Sequence, residues 1–227
     1  MGIRKTPFVT GEHYHIFNRG VDKRDIFSDQ EDLNRFFQSI NEFNTLEPIG
    51  SIHENSRGGS TATPGTTTKL VEFISYCLNP NHYHFILQQM VDGGISEFMK
   101  RLGGYTWYFN NKYNRSGSLF QGRFKSVHID SNEQLLHTSV YVNLNDKVHS
   151  CGGSTATGVM TTGLVRSSWR EYIEDHGGEY PENANNVFCK KDIILDQFKN
   201  KNEYKNFSEE SLKIIKENKV IKKLLIE

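Results

Sequence analysis

The stretch Cys77-Leu78-Asn79-Pro80-Asn81-His82-Tyr83-His84-Phe85-Ile86-Leu87 constrains this chain most. Val71 to Cys77 reads as a strand, Asn79-Pro80-Asn81 as a turn, and the segment from His82 as a second strand. Strands joined by so short a turn are antiparallel neighbours, which commits the chain to a sheet built around them. Side chains alternate faces along a strand, so His82 and His84 share one face while Tyr83 and Phe85 share the other. The two imidazoles then stand about 6 to 7 Å apart. They can close on one divalent ion if a third ligand comes from elsewhere. The competing reading is a pair of half-exposed strand histidines without chemistry, and His-x-His alone does not separate the two.

With 227 residues, 36% of them hydrophobic, the chain can build one good core or one domain with appendages. No apolar run approaches a membrane span, and Met1-Gly2-Ile3-Arg4-Lys5-Thr6-Pro7 lacks the apolar core of a signal peptide. Three cysteines, Cys77, Cys151 and Cys189, are odd in number and show no metal spacing, which fits a reduced cytoplasm. A formal net charge of zero argues against a generally basic nucleic-acid coat. The local distribution differs: Met99 to Lys125 holds Lys100, Arg101, Lys112, Arg115, Arg123 and Lys125, and no acid.

In chain order, Tyr14 to Asn18 reads as a first strand and Arg19-Gly20-Val21-Asp22 as the turn leaving it. Ser28-Asp29-Gln30-Glu31 has the form of a capping box, followed at helical spacing by Leu33, Phe36, Phe37, Ile40 and Phe43. Ile95 to Asn111 is a predicted helix in which Gly103-Gly104 marks a kink. Arg123 to Ile129 is a predicted strand, and Ser131-Asn132-Glu133-Gln134 opens a helix running through Leu144. Two Gly/Ser/Thr-rich blocks, Asn55 to Lys69 and Gly152 to Gly163, read as surface loop insertions. They are related, since residues 58–71 and 152–165 agree at ten of 14 positions. Trp169, Tyr172 and Ile173 suggest a short helix, and Ser208 to Leu225 an amphipathic one docked as an appendage.

On the helix after Ser131, His137, Tyr141 and Asn145 follow at intervals of four and share one face. Alone, each has an ordinary reading: a surface histidine, a core aromatic, a C-terminal cap. Combined with His82 and His84 they supply the parts of one reaction, in which two imidazoles and the Asn145 oxygen hold Mg²⁺ or Mn²⁺ and Tyr141 attacks a phosphodiester. A phenol with a pKa of about 10 is mostly protonated at neutral pH and needs that field to attack.

Four motifs in order carry a family resemblance. They are Asn79-Pro80-Asn81-His82-Tyr83-His84; Tyr105-Thr106-x-Tyr108-Phe109-Asn110-x-Lys112-Tyr113; Gly117-Ser118-Leu119-Phe120-Gln121-Gly122-Arg123-Phe124-Lys125; and Tyr141-Val142-x-Leu144-Asn145. Over roughly residues 8 to 175, insertions excepted, the chain resembles the REP-associated tyrosine transposases of the single-tyrosine HUH-endonuclease superfamily. The resemblance implies an α+β fold, a ferredoxin-like antiparallel sheet with helices packed on it, within a catalytic domain of residues 1–175 followed by a helical appendage, 176–227. It implies a Mg²⁺ or Mn²⁺ ion on His82 and His84, Tyr141 as nucleophile through a 5′-phosphotyrosine, and Asn145 where relatives carry a polar ligand. The expected partner is single-stranded or hairpin DNA, contacted by the basic residues of the acid-free segment, with no membrane and with a homodimer as a compatible assembly. Relatives commonly have Pro after the Asn; here Asp146-Lys147 follow, which makes Asp146 a rival metal contact.

Tyr105, Tyr108 and Tyr113 are the rival nucleophiles. Two further functions stand beside the transposase-like one. A non-cleaving DNA-binding protein of transposase descent fits the same motifs. A two-histidine phosphoesterase is suggested by the echo of His13-Tyr14-His15-Ile16 in His82-Tyr83-His84-Phe85, although such enzymes want Ser or Thr where this chain has His15 and His84.

Overall fold

The computed structural model describes residues 7–47, 69–149, 164–174 and 189–224. Strand β1 (His13–Arg19) alternates as its sequence requires, with Tyr14, Ile16 and Asn18 buried and His13, His15 and Phe17 half-buried on the other side. Helix α1 (Gln30–Phe43) follows, then β2 (Val71–Asn79) and β3 (His82–Gln89), paired antiparallel from Asn79 opposite His82 to Val71 opposite Gln89. Helices α2 (Gly94–Leu102) and α3 (Tyr105–Lys112) are separated at Gly103-Gly104, as expected. Strand β4 (Lys125–Ile129) leads to α4 (Asn132–Asn143), capped by Ser131, whose hydroxyl accepts from the Gln134 N–H at 3.2 Å. Beyond it lie α5 (Asn145–His149), β5 (Arg166–Ser167), α6 (Trp169–Ile173), α7 (Asp192–Leu195) and α8 (Lys201–Leu224).

The strands form one sheet in the order β4-β1-β3-β2-β5, every neighbour antiparallel. A β-α-β-β-α-β progression with β1 between β3 and β4 is the ferredoxin-like arrangement, to which β5 adds a two-residue edge. Both crossovers pack on one face. There Phe36, Ile40 and Phe43 of α1 and Phe98, Leu102, Tyr105 and Phe109 of α2 and α3 bury against Tyr14, Ile16, Tyr83 and Phe85. Fully burying such a side chain is worth about 1.5–3 kcal/mol, so this face anchors the fold. The second face carries the other set of strand residues. Ile74, Cys77 and Ile86 meet Leu135, Val140, Val142 and Leu144, with Tyr172, Ile194 and Tyr204 closing the layer.

Several elements depart from expectation. The N-cap of α1 is Asp29, not Ser28: its carboxylate accepts from the Asp32 N–H at 2.9 Å, while the Ser28 N–H donates to the Asp32 carboxylate at 2.8 Å. The helix of Tyr141 does not run on through Asn145. Leu144 leaves helical geometry (φ −112°, ψ 23°), and Asn145 opens α5. In the C-terminal segment, Ile194 and Tyr204 are fully buried in the second core. The two insertions (apart from Lys69) and the expected boundary at residue 175 lie outside the described residues. Among the described residues, no helix is long and apolar enough to cross a membrane.

Candidate functional site

Strand alternation sends His15 and Phe17 of β1, His82 and His84 of β3, and Cys77 and Asn79 of β2 to the second face of the sheet. Cross-strand register then makes neighbours of them. His84 stands opposite Phe17 on one side and Cys77 on the other, and His82 stands opposite Asn79. The ring centroids of His82 and His84 are 5.3 Å apart, with the rings at 89° to each other.

A chain of hydrogen bonds determines which nitrogen His82 turns to the site. The Asn81 amide nitrogen donates to the Lys23 carbonyl at 3.1 Å, which leaves the Asn81 oxygen facing His82. That oxygen can only accept, so the contact of 2.6 Å puts a proton on His82 Nδ1. In the neutral ring Nε2 then carries a lone pair, the form a metal ligand needs. His82 Nε2 lies 2.9 Å from Oδ1 of Asn145. Two acceptors this close repel unless something positive lies between them, and the Asn79 amide nitrogen touches both, at 3.1 Å each.

His84 is buried, and its Nδ1 lies 2.9 Å from Nε2 of His15. A lone pair at His84 Nε2 requires the proton on Nδ1, and His15 is the acceptor in place for it. Burial pulls the His15 pKa down to about 4, so His15 is neutral at physiological pH. Among the described residues no three of His, Cys, Asp and Glu cluster as a metal centre. The rival contact Asp146 therefore does not join the histidine pair. The donors that do converge, imidazole nitrogen and amide oxygen, are neutral lone pairs of the kind a divalent cation accepts.

Tyr141 reaches this cluster from α4. Its ring stands edge-on to His84 at 5.5 Å and to His15 at 5.9 Å. Burial raises its pKa, and a hydrogen bond with the Asn145 side chain opposes that rise. Asn145 arrives by a turn at Leu144 rather than by helical spacing: the Leu144 N–H donates back to Val140 at 3.0 Å, and its carbonyl accepts from Lys147 and Val148. His137, expected on the same stripe, is exposed and rests against Phe207 of α8 at 5.3 Å. The turn at Leu144 decouples the two ends of that stripe.

The rival tyrosines are used elsewhere. Tyr105 is fully buried and donates to the carbonyls of Ile26 and Asp32, and burial holds its pKa far above the ordinary phenol value. Tyr113 donates to Asp29 and Asp32, and Tyr108 to Asp32. These three hydroxyls belong to the first face, across the sheet from the histidines.

The basic residues divide in the same way. Lys112 binds Asp29, Glu31 and Asp32 at 2.8–2.9 Å. Burial works against its charge, but hydrogen bonds to these carboxylates outweigh it and hold the ammonium above its ordinary pKa. Arg101 binds Glu97 at 2.9 Å and caps the carbonyls of Phe43 and Thr45, and Lys100 pairs with Glu97 at 3.2 Å. The segment has no acid of its own, but the fold brings acids to it from α1 and from Glu97 just outside its edge. Arg115 lies over Phe109 at 5.5 Å. Arg123 and Lys125 are exposed at the start of β4, the strand beside β1.

The two-histidine phosphoesterase is excluded by register. Antiparallel pairing sets His13 opposite Gln88 and His82 opposite Arg19, at opposite ends of the β1–β3 pair and about 20 Å apart. The echo does have a structural meaning, since its second histidines, His15 and His84, are the ones that touch. His15, Asn79 and Asn81 join the site without having been singled out for it. For His15 the repeated His-Tyr-His was the available signal; for the asparagines, which read as turn residues, it was their place in the motif Asn79-Pro80-Asn81-His82-Tyr83-His84.

The model of the family described as "Transposase IS200 like" matches residues 62–145, a span that contains His82, His84 and Tyr141 and ends on Asn145. This segment is IS200-transposase-like in sequence, as the motifs suggested. Among curated proteins nothing matches the chain. Among solved structures, a REP-associated tyrosine transposase bound to a REP hairpin is similar at 11% identity with a TM-score of 0.46, covering 84% of this chain and 98% of that one.

Proposed function

We propose that the chain is a transposase-like enzyme that cuts and transfers single-stranded DNA, hairpin or palindromic repeats being its substrate, through a covalent 5′-phosphotyrosine on Tyr141. One observation carries the reading: Tyr141 stands edge-on to His84 at 5.5 Å while Asn145, four residues on, touches His82 at 2.9 Å. Residues from β1, β3, α4 and α5 thus meet over one patch of sheet, and His82, His84, Tyr141 and Asn145 among them lie within the segment matched by the IS200-like family model.

His82, His84 and Asn145 would hold Mn²⁺ or Mg²⁺. Such a cation would supply positive charge that stabilises the charge developing on the phosphate and lowers the cost of forming the phenolate. Tyr141 provides the attacking oxygen. Its bond to phosphorus forms as the bond to the 3′ oxygen breaks, and the phenolic proton balances the 3′-hydroxyl that leaves. The tyrosyl ester retains the energy of the bond it replaced, so a second 3′-hydroxyl can reverse the step without ATP. Asn81 and His15 fix the tautomers of the two histidines. Arg123 and Lys125, exposed beside β1, are the proposed phosphate contacts.

The test is metal dependence of cleavage. Labelled single-stranded hairpin DNA is incubated with wild type and with His82→Ala, in Mn²⁺ and in EDTA. Wild type in Mn²⁺ should cut and form an adduct that survives denaturation. EDTA or His82→Ala should stop both while leaving most DNA binding intact, since phosphate contacts dominate affinity. Undiminished cleavage by His82→Ala in EDTA would sink the proposal.

A further inference from the structure

We propose that Asn79 is a ligand of this metal centre: its amide oxygen, turned inward, completes a three-point face with Nε2 of His82 and Oδ1 of Asn145. The inference rests on the metal-dependent reading above and adds to it a residue from the strand before the histidines.

Asn79 is fully buried at the last position of β2, directly opposite His82, on the face that carries the site. Its amide nitrogen is ringed by acceptors: Nε2 of His82 at 3.1 Å, Oδ1 of Asn145 at 3.1 Å and Sγ of Cys77 at 3.5 Å. An amide NH₂ has two protons to give and carries partial positive charge, so it offsets the repulsion between these acceptors as a cation beside them would. The other end of the group is unsatisfied, for Oδ1 of Asn79 is buried with no hydrogen-bond partner among the described residues. A buried orphan of this kind costs about 1–3 kcal/mol, and one beside a cluster of acceptors calls for an explanation.

The spacing supplies one. His82 Nε2, Asn145 Oδ1 and the inward atom of Asn79 form a triangle with edges of 2.9, 3.1 and 3.1 Å. Neighbouring ligands of an octahedral ion at about 2.1 Å stand about 3.0 Å apart. Rotating the Asn79 amide by half a turn exchanges oxygen for nitrogen at the inward corner and turns an acceptor–acceptor–donor triangle into three donors of lone pairs. The oxygen then has the cation as its partner, and the amide nitrogen takes the position that the oxygen leaves. With His84 the resulting set is neutral, two amides and two imidazoles, so the bare protein should hold the ion weakly and rely on a DNA phosphate to complete the shell.

The experiment is Mn²⁺ binding to the full chain without DNA, read by electron paramagnetic resonance of the free ion and by the melting temperature with and without Mn²⁺. The proteins are wild type, Asn79→Leu, Asn79→Asp and His82→Ala. Asn79→Leu should weaken Mn²⁺ by roughly ten- to a hundredfold. Asn79→Asp keeps the shape and adds charge, so it should bind Mn²⁺ more tightly than wild type and gain more melting temperature from it. If Asn79→Leu does not fold, the aspartate variant decides alone. If both Asn79 variants bind Mn²⁺ like wild type while His82→Ala loses it, Asn79 is only a structural link and the proposal is overturned, with the metal-dependent reading intact. If His82→Ala binds as well as wild type, or wild type binds no Mn²⁺, both are overturned.

Discussion

At the residue scale, the site depends on protons being on particular nitrogens, and His15 exposes that to measurement. Its pKa is pulled from 6.5 to about 4 by burial, and His13 on the same strand is lowered as well, burial again being the main cause. The unfolded chain therefore takes up protons between pH 6.5 and 4 that the folded chain refuses. Stability should fall as the pH is lowered through that window and be fully present above it. Chemical denaturation at pH 7 and pH 5 should show the loss, and His15→Gln should reduce it; an equal pH dependence in both proteins would contradict the assignment. The histidine pair was legible in the sequence because period-two alternation places residues on a face without further knowledge. The tautomers were not, because they are set by Lys23 and Asn81 on one side and by His15, 69 residues away, on the other.

At the element scale, Tyr141 is held by the way α4 is tied down. Ser168 bridges strand and helix: its hydroxyl accepts from the Tyr76 N–H at 2.9 Å and donates to Asn143 at 2.5 Å. Asn143 in turn donates to the Tyr204 hydroxyl of α8 at 2.9 Å, and Ser139 meets the same hydroxyl at 3.2 Å. Tyr204→Phe leaves the ring packed but strands the Asn143 amide, which should cost about 1–3 kcal/mol. A urea denaturation midpoint equal to wild type would show the network to be idle. The helix pattern, the cap at Ser131 and the break at Gly103-Gly104 followed from local rules. The turn at Leu144 did not, because periodicity from His137 to Asn145 runs unbroken through it. Position 145 stays at the site because the turn redirects α5, a tertiary outcome that spacing of four cannot report.

At the scale of the whole molecule, the sheet separates two functions. One face, with α1 to α3, holds the larger core and uses its charges internally; the other holds the site. Lys112 and Arg123 lie in one basic segment of the sequence but should behave differently. Lys112→Ala leaves the fully buried Asp32 carboxylate without its cation and should destabilise the fold by about 2 kcal/mol, less than the 3–5 of a fully buried pair because Lys112 is partly exposed. Its effect on DNA affinity should be small. Arg123→Ala should cost less stability than Lys112→Ala, because Arg123 is exposed, and flatten the salt dependence of DNA binding by about one counterion. Melting curves and binding isotherms at several salt concentrations separate the two, and the reverse pattern would place the DNA on the wrong side of the sheet. An acid-free stretch of sequence looked like a single basic face because partners far along the chain are invisible to a window.

The central claim is that Tyr141 becomes bonded to DNA. The direct measurement compares wild type with Tyr141→Phe, Tyr105→Phe, Tyr108→Phe and Tyr113→Phe, each incubated with labelled single-stranded hairpin DNA and Mn²⁺ and resolved on a denaturing gel. Tyr141→Phe removes one half-buried hydroxyl and keeps the ring against His84, so it should fold, bind DNA and form no adduct. The other three should form it, at reduced yield where loss of a hydrogen bond to Asp29 or Asp32 lowers stability. An adduct that persists in Tyr141→Phe would contradict the assignment, whichever of the other variants lost it.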